Sequence, residues 1–574
     1  MARAQDVRST ICLNLIVKNE SHIIGELFES MAPLIDYWVI VDTGSTDGTQ
    51  DYIRREMERL GVPGELHERP WRDFGHNRTE AMALAQGHCD YIWVMDADDL
   101  LIGKPNLGKL TADAYTVLID DGFHYWRRQI FRNGVPWRYQ GVLHEVAMCD
   151  SPYEELQLTG DFRVLSRRLG GRNLDPDKYL RDIEVLAAEH ERHPGDARTV
   201  FYLAQSYECH GDSVNAQKWY EHRAQMGGWD EEVFLAAHRA ARARANNGDP
   251  WPEIQDAYLQ AWNLRPSRAE PLHALAEQHR LAGRYALGHL FAQRAAAIPL
   301  PSDILFVDNA VHTWRSLDEF AVCASWIGKY KEAFEASREL VANPMVPEDD
   351  RRRIAANRDL MVPAMLEWAS GYPEILPAVR SPQREIHTTL TLIAGPDRSR
   401  IQQTLNSFLH CCTDAERIDR FLVVQAGLAE QDRTILASLY PFLDFATIDP
   451  NAQNAAALVR SEVSGRYWLH LHEGAQFFAP GDLVGRLISV LEAEPTVPMV
   501  GLNFEDVGGL TGRCADEADV RRTPSGDRYV VGDRVIQGPV MYDIGRADQA
   551  AASWTPGSSV PSATLDEVLC IGQN

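Results

Sequence analysis

Apolar and polar positions alternate along this chain in three successive textures. Residues 11–17 (ICLNLIV) are almost continuously apolar, the pattern of a strand buried on both faces of a parallel sheet. An amphipathic stretch over 22–33, closing near Pro33, predicts a helix. A second apolar strand at 37–41 runs into Asp-Thr-Gly-Ser-Thr-Asp-Gly, which is turn and N-cap chemistry. Helices are expected over 48–60 and 76–87, and a short strand at 64–68. A third buried strand at 91–95 ends in Asp96-Ala97-Asp98-Asp99. Strands that alternate with helices in this way predict a doubly wound α/β domain.

From about residue 176 the periodicity becomes helical for two hundred residues, and it repeats. Leu203, Ala204, Tyr207, Gly211, Ala216 and Tyr220 stand at the offsets of a tetratricopeptide helix pair. Leu275, Ala276, Gly283 and Ala295 repeat much of that spacing; Gly328, Ala333 and Leu340 repeat part of it. Ile254, Tyr258, Ala261 and Pro266 suit a further, irregular unit. Stacked helix pairs of this kind bury a continuous core and leave a concave surface suited to extended peptides. The Pro-rich stretch 371–386 reads as a linker, after which the α/β texture returns. Strands are expected at 388–395, 421–427 and 466–475, with helices over 398–410 and 455–464.

Length and charge narrow the function classes. At 574 residues the chain exceeds what one core organises, so three or more domains are expected. A formal net charge of −25 disfavours general binding to nucleic acid or anionic membranes. The nine cysteines are scattered and include no CxxC pair, which points to neither a zinc knuckle nor a disulfide framework. The amino-terminal apolar run reads as a buried strand, and nothing approaches the ~20 apolar residues of a membrane span. The expectation is a cytoplasmic protein.

Candidate chemistry gathers where the first strands end, which is where open α/β sheets bind ligands. The ends collect Asn19 and Glu20, then Asp42, Ser45 and Asp47, then Asp96, Ala97, Asp98 and Asp99. So many carboxylates at one rim cannot all ionise cheaply without a cation among them. A hard divalent ion with oxygen ligands suits them and commonly brings substrate phosphates with it. Helix capping and turn formation are the competing explanation, strongest for Asp47. Arg127, Arg128 and Arg132 precede His144-Glu145, and Arg167, Arg168, Arg172 and Lys178 follow it. Guanidinium groups could pair with a diphosphate there or serve structural ion pairs. Trp126 and Trp137 suit either an acceptor surface or packing.

Six segments in order carry a resemblance: LIVKNES (15–21), VDTGSTDGT (41–49), HNRTEAM (76–82), WVMDADD (93–99), RQIFRNG (128–134) and GVLHE (141–145). Together they resemble the inverting, family-two glycosyltransferases of GT-A fold. The resemblance implies a GT-A (Rossmann-like) α/β domain over residues 1–165. An all-α tetratricopeptide-like array over 176–370 and a second, degenerate α/β GT-A-like domain over 385–574 would follow. The arrangement is similar to bacterial enzymes that glycosylate peptides or proteins.

The resemblance further implies a nucleotide-sugar donor, of UDP type, and Mn²⁺ or Mg²⁺. Asp42 would read the base edge, with Asn19, Glu20, Ser45, Asp47 and Ala97 lining the donor. Arg78 would lie beside the nucleotide and Asp96 near ribose and metal; apart from the resemblance, the Gly-Gly turn before Arg172 could fold Arg172 and Lys178 back over the donor. Asp98 and His144 are the implied metal contacts. Glu145 and Asp99 compete for the role of general base on an acceptor hydroxyl or thiol. A protein or peptide acceptor is implied first; a glycan or a modified nucleic-acid base is the alternative, and a homodimer is compatible. A non-catalytic scaffold is the rival from another class. The last domain carries His470-Leu471-His472-Glu473 where the acidic turn would be, a set that could bind a transition metal or be purely structural.

Overall fold

In the computed structural model, residues 8–572 are described apart from 121–123, 168, 174, 380, 382–384, 426, 449–454, 503–514, 516–518, 533–537 and 554–560. Arg168 and Cys514 thus lie outside the described residues. The chain divides into two compact units: one runs to Pro271 and takes in Leu300–Asp308, and the other holds Leu272–Pro299 and the chain from Asn309 onward.

The first unit opens with β1 (Ile11–Val17), α1 (Ile24–Met31), β2 (Tyr37–Asp42), α2 (Thr49–Leu60), β3 (Gly64–Glu68), α3 (Phe74–Leu84) and β4 (Tyr91–Val94). These match the alternation expected from the apolar pattern. There follow β5 (Asp99–Pro105), β6 (Ala114–Asp120), β7 (His124–Arg132), β8 (Arg138–Gln140), β9 (Val146–Met148), β10 (Glu155–Gln157) and β11 (Gly160–Ser166). The main sheet has the order β3-β2-β1-β4-β7-β6-β11-β5, with β10 beside β6. Its β3-β2-β1-β4 half is parallel, and β7 joins β4 antiparallel.

Side chains of β1 alternate between two cores. Leu13 and Leu15 face Leu27, Phe28 and Ile53 of α1 and α2, whereas Cys12 faces Met82 and Ala85 with Phe131. Asn14 is a buried polar residue in this apolar run. Its Nδ2 donates to the carbonyls of Val39 and Ala81, tying β1 to both β2 and α3.

Helices α4 (Lys178–Arg192), α5 (Ala197–His210), α6 (Ser213–Gln225), α7 (Asp230–Asn247) and α8 (Trp251–Leu264) complete this unit. Asp196 and Asp212 cap α5 and α6 through their carboxylates, and Gly211 closes α5 at φ 88°. Leu203, Ala204, Ala216 and Tyr220 are buried, as their tetratricopeptide spacing predicts.

The division between units falls inside α9 (Glu270–Leu281). The second unit continues with α10 (Tyr285–Ala296), α11 (Ser316–Trp326), α12 (Tyr330–Ala342), α13 (Glu348–Asp359) and α14 (Val362–Ala369). Its α/β part holds β12 (Thr388–Ala394), α15 (Arg398–Cys411), β13 (Arg420–Gln425), α16 (Glu430–Leu439), β14 (Leu443–Thr447), α17 (Ala455–Glu462) and β15 (Tyr467–Leu471). Then come β16 (Ala475–Phe477), α18 (Leu483–Ala493), β17 (Met499–Gly501), β18 (Arg521–Arg522), β19 (Arg528–Gly532), β20 (Val540–Asp543), α19 (Ile544–Ser553), β21 (Ser562–Leu565) and β22 (Cys570–Gly572).

The second sheet runs β14-β13-β12-β15-β20-β17-β21-β19-β18, and its first four strands repeat the parallel arrangement of the first sheet. Phe334, Met361 and Met365 of the helices share one core with Leu390, Leu405 and Phe478 of this part. The helices and the sheet of the second unit are therefore one packed body. Among the described residues no helix is long and apolar enough to cross a membrane.

Candidate functional site

Parallel pairing fixes where the acidic residues of the first domain lie. Val17 is level with Asp42, and Asn14 with Val94, so β1, β2 and β4 end at the same sheet edge. The segments that follow them form that rim.

Asn19 takes a left-handed turn at φ 58° immediately after β1. Its Oδ1 accepts from Thr46 N at 2.8 Å, and its own N–H donates to Ser45 Oγ at 2.8 Å. Asn19 and Ser45 thus knit two rim loops together. Asp42 turns Oδ1 inward to accept from the N–H groups of Gly44 and Ser45 and from Gln50 Nε2. Its Oδ2 is buried and has no hydrogen-bond partner among the described residues. Asp47 accepts from the N–H and hydroxyl groups of both Ser21 and Thr49. Burial works to raise its carboxyl, but those four donors outweigh it and hold the group at about 2. Its acceptor capacity is taken up by the turn, as the capping explanation predicts.

The acids after β4 separate by environment. Arg78, on α3, pairs with both Asp96 and Glu145. Burial opposes ionisation of Asp96, yet Arg78 and Arg127 draw it down to about 2. Asp99 has a fully buried side chain; Oδ2 accepts from Asp96 N at 3.1 Å and Arg127 at 3.3 Å. Burial first, and Asp96 second, push Asp99 up to about 6. Ala97, buried between them, contributes no polar side chain.

Asp98 Oδ2 accepts from Gly170 N at 2.9 Å, and Glu20 accepts from Gly171 N at 3.2 Å. A Cβ placed on Gly170 would stand 3.2 Å from Glu20 Oε1 and 3.3 Å from Asp98 Oδ2, so the two carboxylates flank one point beneath a glycine pair. Burial first, then the charge of Asp98, raise Glu20 to about 7 against the Gly171 N–H that favours its ionised form. A carboxyl that resists ionising beside a second carboxylate suits a hard cation, whose remaining ligands could be diphosphate oxygens.

His144 also has a left-handed backbone, at φ 51°. Its ring stacks on Tyr202 of α5 with centroids 4.0 Å apart and planes 7° from parallel. Arg198 Nε donates to its carbonyl at 3.0 Å. The protein packed around the ring, then Arg172, Arg198 and Lys178, lower the imidazole below its ordinary value, although the residue as a whole is exposed. Among the described residues no three His, Cys, Asp or Glu side chains are grouped to cage a metal.

The guanidinium of Arg172, directly after the glycine pair, pairs with Asp182 and lies over the Phe74 ring. Arg128 pairs with Glu155, Arg132 with Asp113 and Arg167 with Glu26. Trp137 is buried against Phe131 and Tyr153, whereas Trp126 is partly exposed. Sequence reading did not find the roles of Asn14, Gly170, Tyr202 and Arg198. Each acts across a long separation, and only the Gly-Gly pair left a local signal.

Among its described residues the second α/β part shows no such rim. Gln425 stands level with the end of β12, as Asp42 does with β1, and donates to Thr447 Oγ1 at 2.6 Å. His470 Nδ1 lies 2.8 Å from Thr391 Oγ1, His472 Nε2 lies 3.0 Å from the Gly538 carbonyl, and Glu473 accepts from Gly395 N. These three side chains are engaged within their own domain.

Comparison with known proteins agrees with the geometry. Residues 13–167 match the family described as Glycosyl transferase family 2. A TPR repeat-containing protein of Synechococcus elongatus is 27% identical over 308 residues, 50% of this chain and 71% of that relative. The crystal structure of MamA covers 29% of this chain and 88% of its own, at 14% identity and a TM-score of 0.24. YrrB, described as a TPR protein with an unusual peptide-binding site, covers 32% and 84%, at 13% identity and a TM-score of 0.25. Residues 13–167 are accordingly a glycosyl transferase family 2 domain, from which the chain continues into a tetratricopeptide-type helical array.

Proposed function

We propose that the first domain transfers a sugar from a nucleoside-diphosphate donor of UDP type to an acceptor hydroxyl or thiol on a protein or peptide, with inversion and with a divalent cation. The observation that carries this reading is the rim itself. It holds Glu20, Asp42, Asp96 and Asp98 at one sheet edge, with Arg78 joining Asp96 to Glu145.

The unpartnered Oδ2 of Asp42 is a ready acceptor for an N–H on the base edge of the nucleotide. Asn19 and Ser45 hold the loop around it. Asp98 and Glu20 are the residues that fit Mn²⁺ or Mg²⁺. Such an ion would neutralise charge growing on the leaving nucleoside diphosphate. Glu145 accepts the acceptor's proton while the acceptor atom forms its bond to the anomeric carbon. The bond from that carbon to the diphosphate oxygen breaks on the opposite side, which inverts the centre. Glu145 is favoured over Asp99 because the Asp99 side chain is fully buried, whereas part of the Glu145 side chain reaches solvent. Arg78 fixes the spacing between the donor-side Asp96 and Glu145.

A peptide acceptor is supported by the helical array, one helix of which touches the His144 loop. A glycan acceptor remains the alternative, and the net charge of −25 counts against a nucleic-acid base. The test is a panel of nucleotide sugars, including UDP-glucose and UDP-N-acetylglucosamine, incubated with and without Mn²⁺. Nucleoside diphosphate release that needs Mn²⁺ and is lost in Asp98→Ala supports the reading. Absence of binding and release with every donor would sink it and favour a non-catalytic scaffold.

A further inference from the structure

The loop that carries His144 and Glu145 belongs to the glycosyltransferase domain but is held by the helical array. We infer that Tyr202 and Arg198 of α5 are positioning residues for Glu145, which makes the array a working part of the acceptor side; this rests on the reading of Glu145 as the base.

The backbone gives the first reason. His144 sits at φ 51°, in the left-handed region that a residue with a side chain adopts only at a cost. Such a turn persists only where its surroundings over-determine it. Three contacts do so here. The imidazole lies flat on Tyr202 at 4.0 Å, and its carbonyl accepts from Arg198 at 3.0 Å. Leu143 is buried with Ile183, Leu186 and Phe201 of α4 and α5. Arg198 is in turn placed over the Tyr202 ring, 5.0 Å from its centroid. One residue further on, Glu145 meets Arg78, so the peptide between His144 and Glu145 is gripped from α5 on one side and α3 on the other. Releasing the α5 grip lets that peptide rotate. A displacement of about 1 Å in a reacting group can cost about 100-fold in rate.

The test uses the full chain and the nucleotide sugar of the panel that is turned over fastest. Tyr202→Leu keeps an apolar side chain but removes the stack; Tyr202→Phe keeps the ring; Arg198→Met removes the donor to the carbonyl. The expected result for Tyr202→Leu and Arg198→Met is a kcat lower by about 10- to 100-fold, with KM for the nucleotide sugar within about threefold of wild type. Amide hydrogen exchange should quicken over residues 141–148 and not in β1 or β4. Tyr202→Phe should restore both readings. Unchanged exchange over 141–148 in Tyr202→Leu, or a Phe variant no better than Leu, would overturn the inference. Glu145→Gln separates the two readings. If it is as active as wild type, the base assignment fails and hydrogen exchange alone decides whether α5 holds the loop.

Discussion

Arg78 and Glu145, 67 residues apart in sequence, form an ion pair with about nine-tenths of each side chain buried. The same guanidinium holds Asp96, so one cation from α3 serves a carboxylate on each side of the proposed reaction centre. Removing it leaves the nearly buried Glu145 without its cation, while Asp96, about a third exposed, keeps Arg127. Arg78→Met should therefore cost about 3–5 kcal/mol of stability, read as a lowered thermal midpoint. At a temperature where the variant is folded, nucleoside diphosphate release should fall by about 100-fold or more. A variant of unchanged stability would show that the pair carries no structural load.

Asp98 and Glu145 should separate binding from chemistry. Asp98→Asn is expected to weaken Mn²⁺-dependent donor binding by about tenfold or more, measured by calorimetry with the nucleotide sugar. Glu145→Gln should leave that affinity within about twofold while lowering kcat. The opposite pattern would exchange the two assignments.

Gly75 admits α3 close to the same loop. A Cβ there would stand 2.5 Å from the Gly141 carbonyl oxygen, whose partner is the Gly75 N–H at 3.2 Å. Backbone cannot withdraw as a flexible side chain can. Gly75→Ala should lose about 1–3 kcal/mol in thermal unfolding and slow turnover more than it weakens donor binding.

Acid should loosen the second unit at Glu567. Burial alone would raise this carboxyl, but Arg338 and Arg486 outweigh it and hold it at about 2, against an ordinary value of 4.5. A depressed carboxylate contributes stability that is complete above the ordinary value and is lost as pH falls from about 4.5 towards 2. Glu567→Gln should lower the thermal midpoint at pH 7 and flatten its decline below pH 4.5. A wild-type midpoint constant across that window would count against the pair.

The histidine turn of the second α/β part gives a negative control. His470 is pushed down to about 4 by burial first and His472 second, and Glu473 is tied to Gly395. Glu473→Gln should leave nucleoside diphosphate release unchanged. Loss of turnover with an intact fold would return that turn to consideration as a catalytic site.

The sequence by itself determined β1 to β4, the helices between them and the rim. Nearly continuous apolar runs such as 11–17, short and followed by turn residues, read as strands buried on both faces, and parallel strands end at a common edge. The acids that follow them were therefore legible as a group. The tetratricopeptide spacing was legible too, because Gly211 and the buried Leu203, Ala204, Ala216 and Tyr220 obey local rules of helix closure and packing.

Only the tertiary structure decided the pairings. Asp96 and Asp99 lie three residues apart, yet one is drawn down by Arg78 and Arg127 while the other is raised by burial. Arg172 follows the glycine pair at the rim, and Asp182 and Phe74 hold its guanidinium. Tyr202 reads locally as an ordinary helix residue, and its ring nevertheless lies on His144. Periodicity reports which face of an element is buried, through hydration along the chain. The charge state and reach of a side chain depend on partners brought from distant segments, and no local pattern encodes which partner arrives.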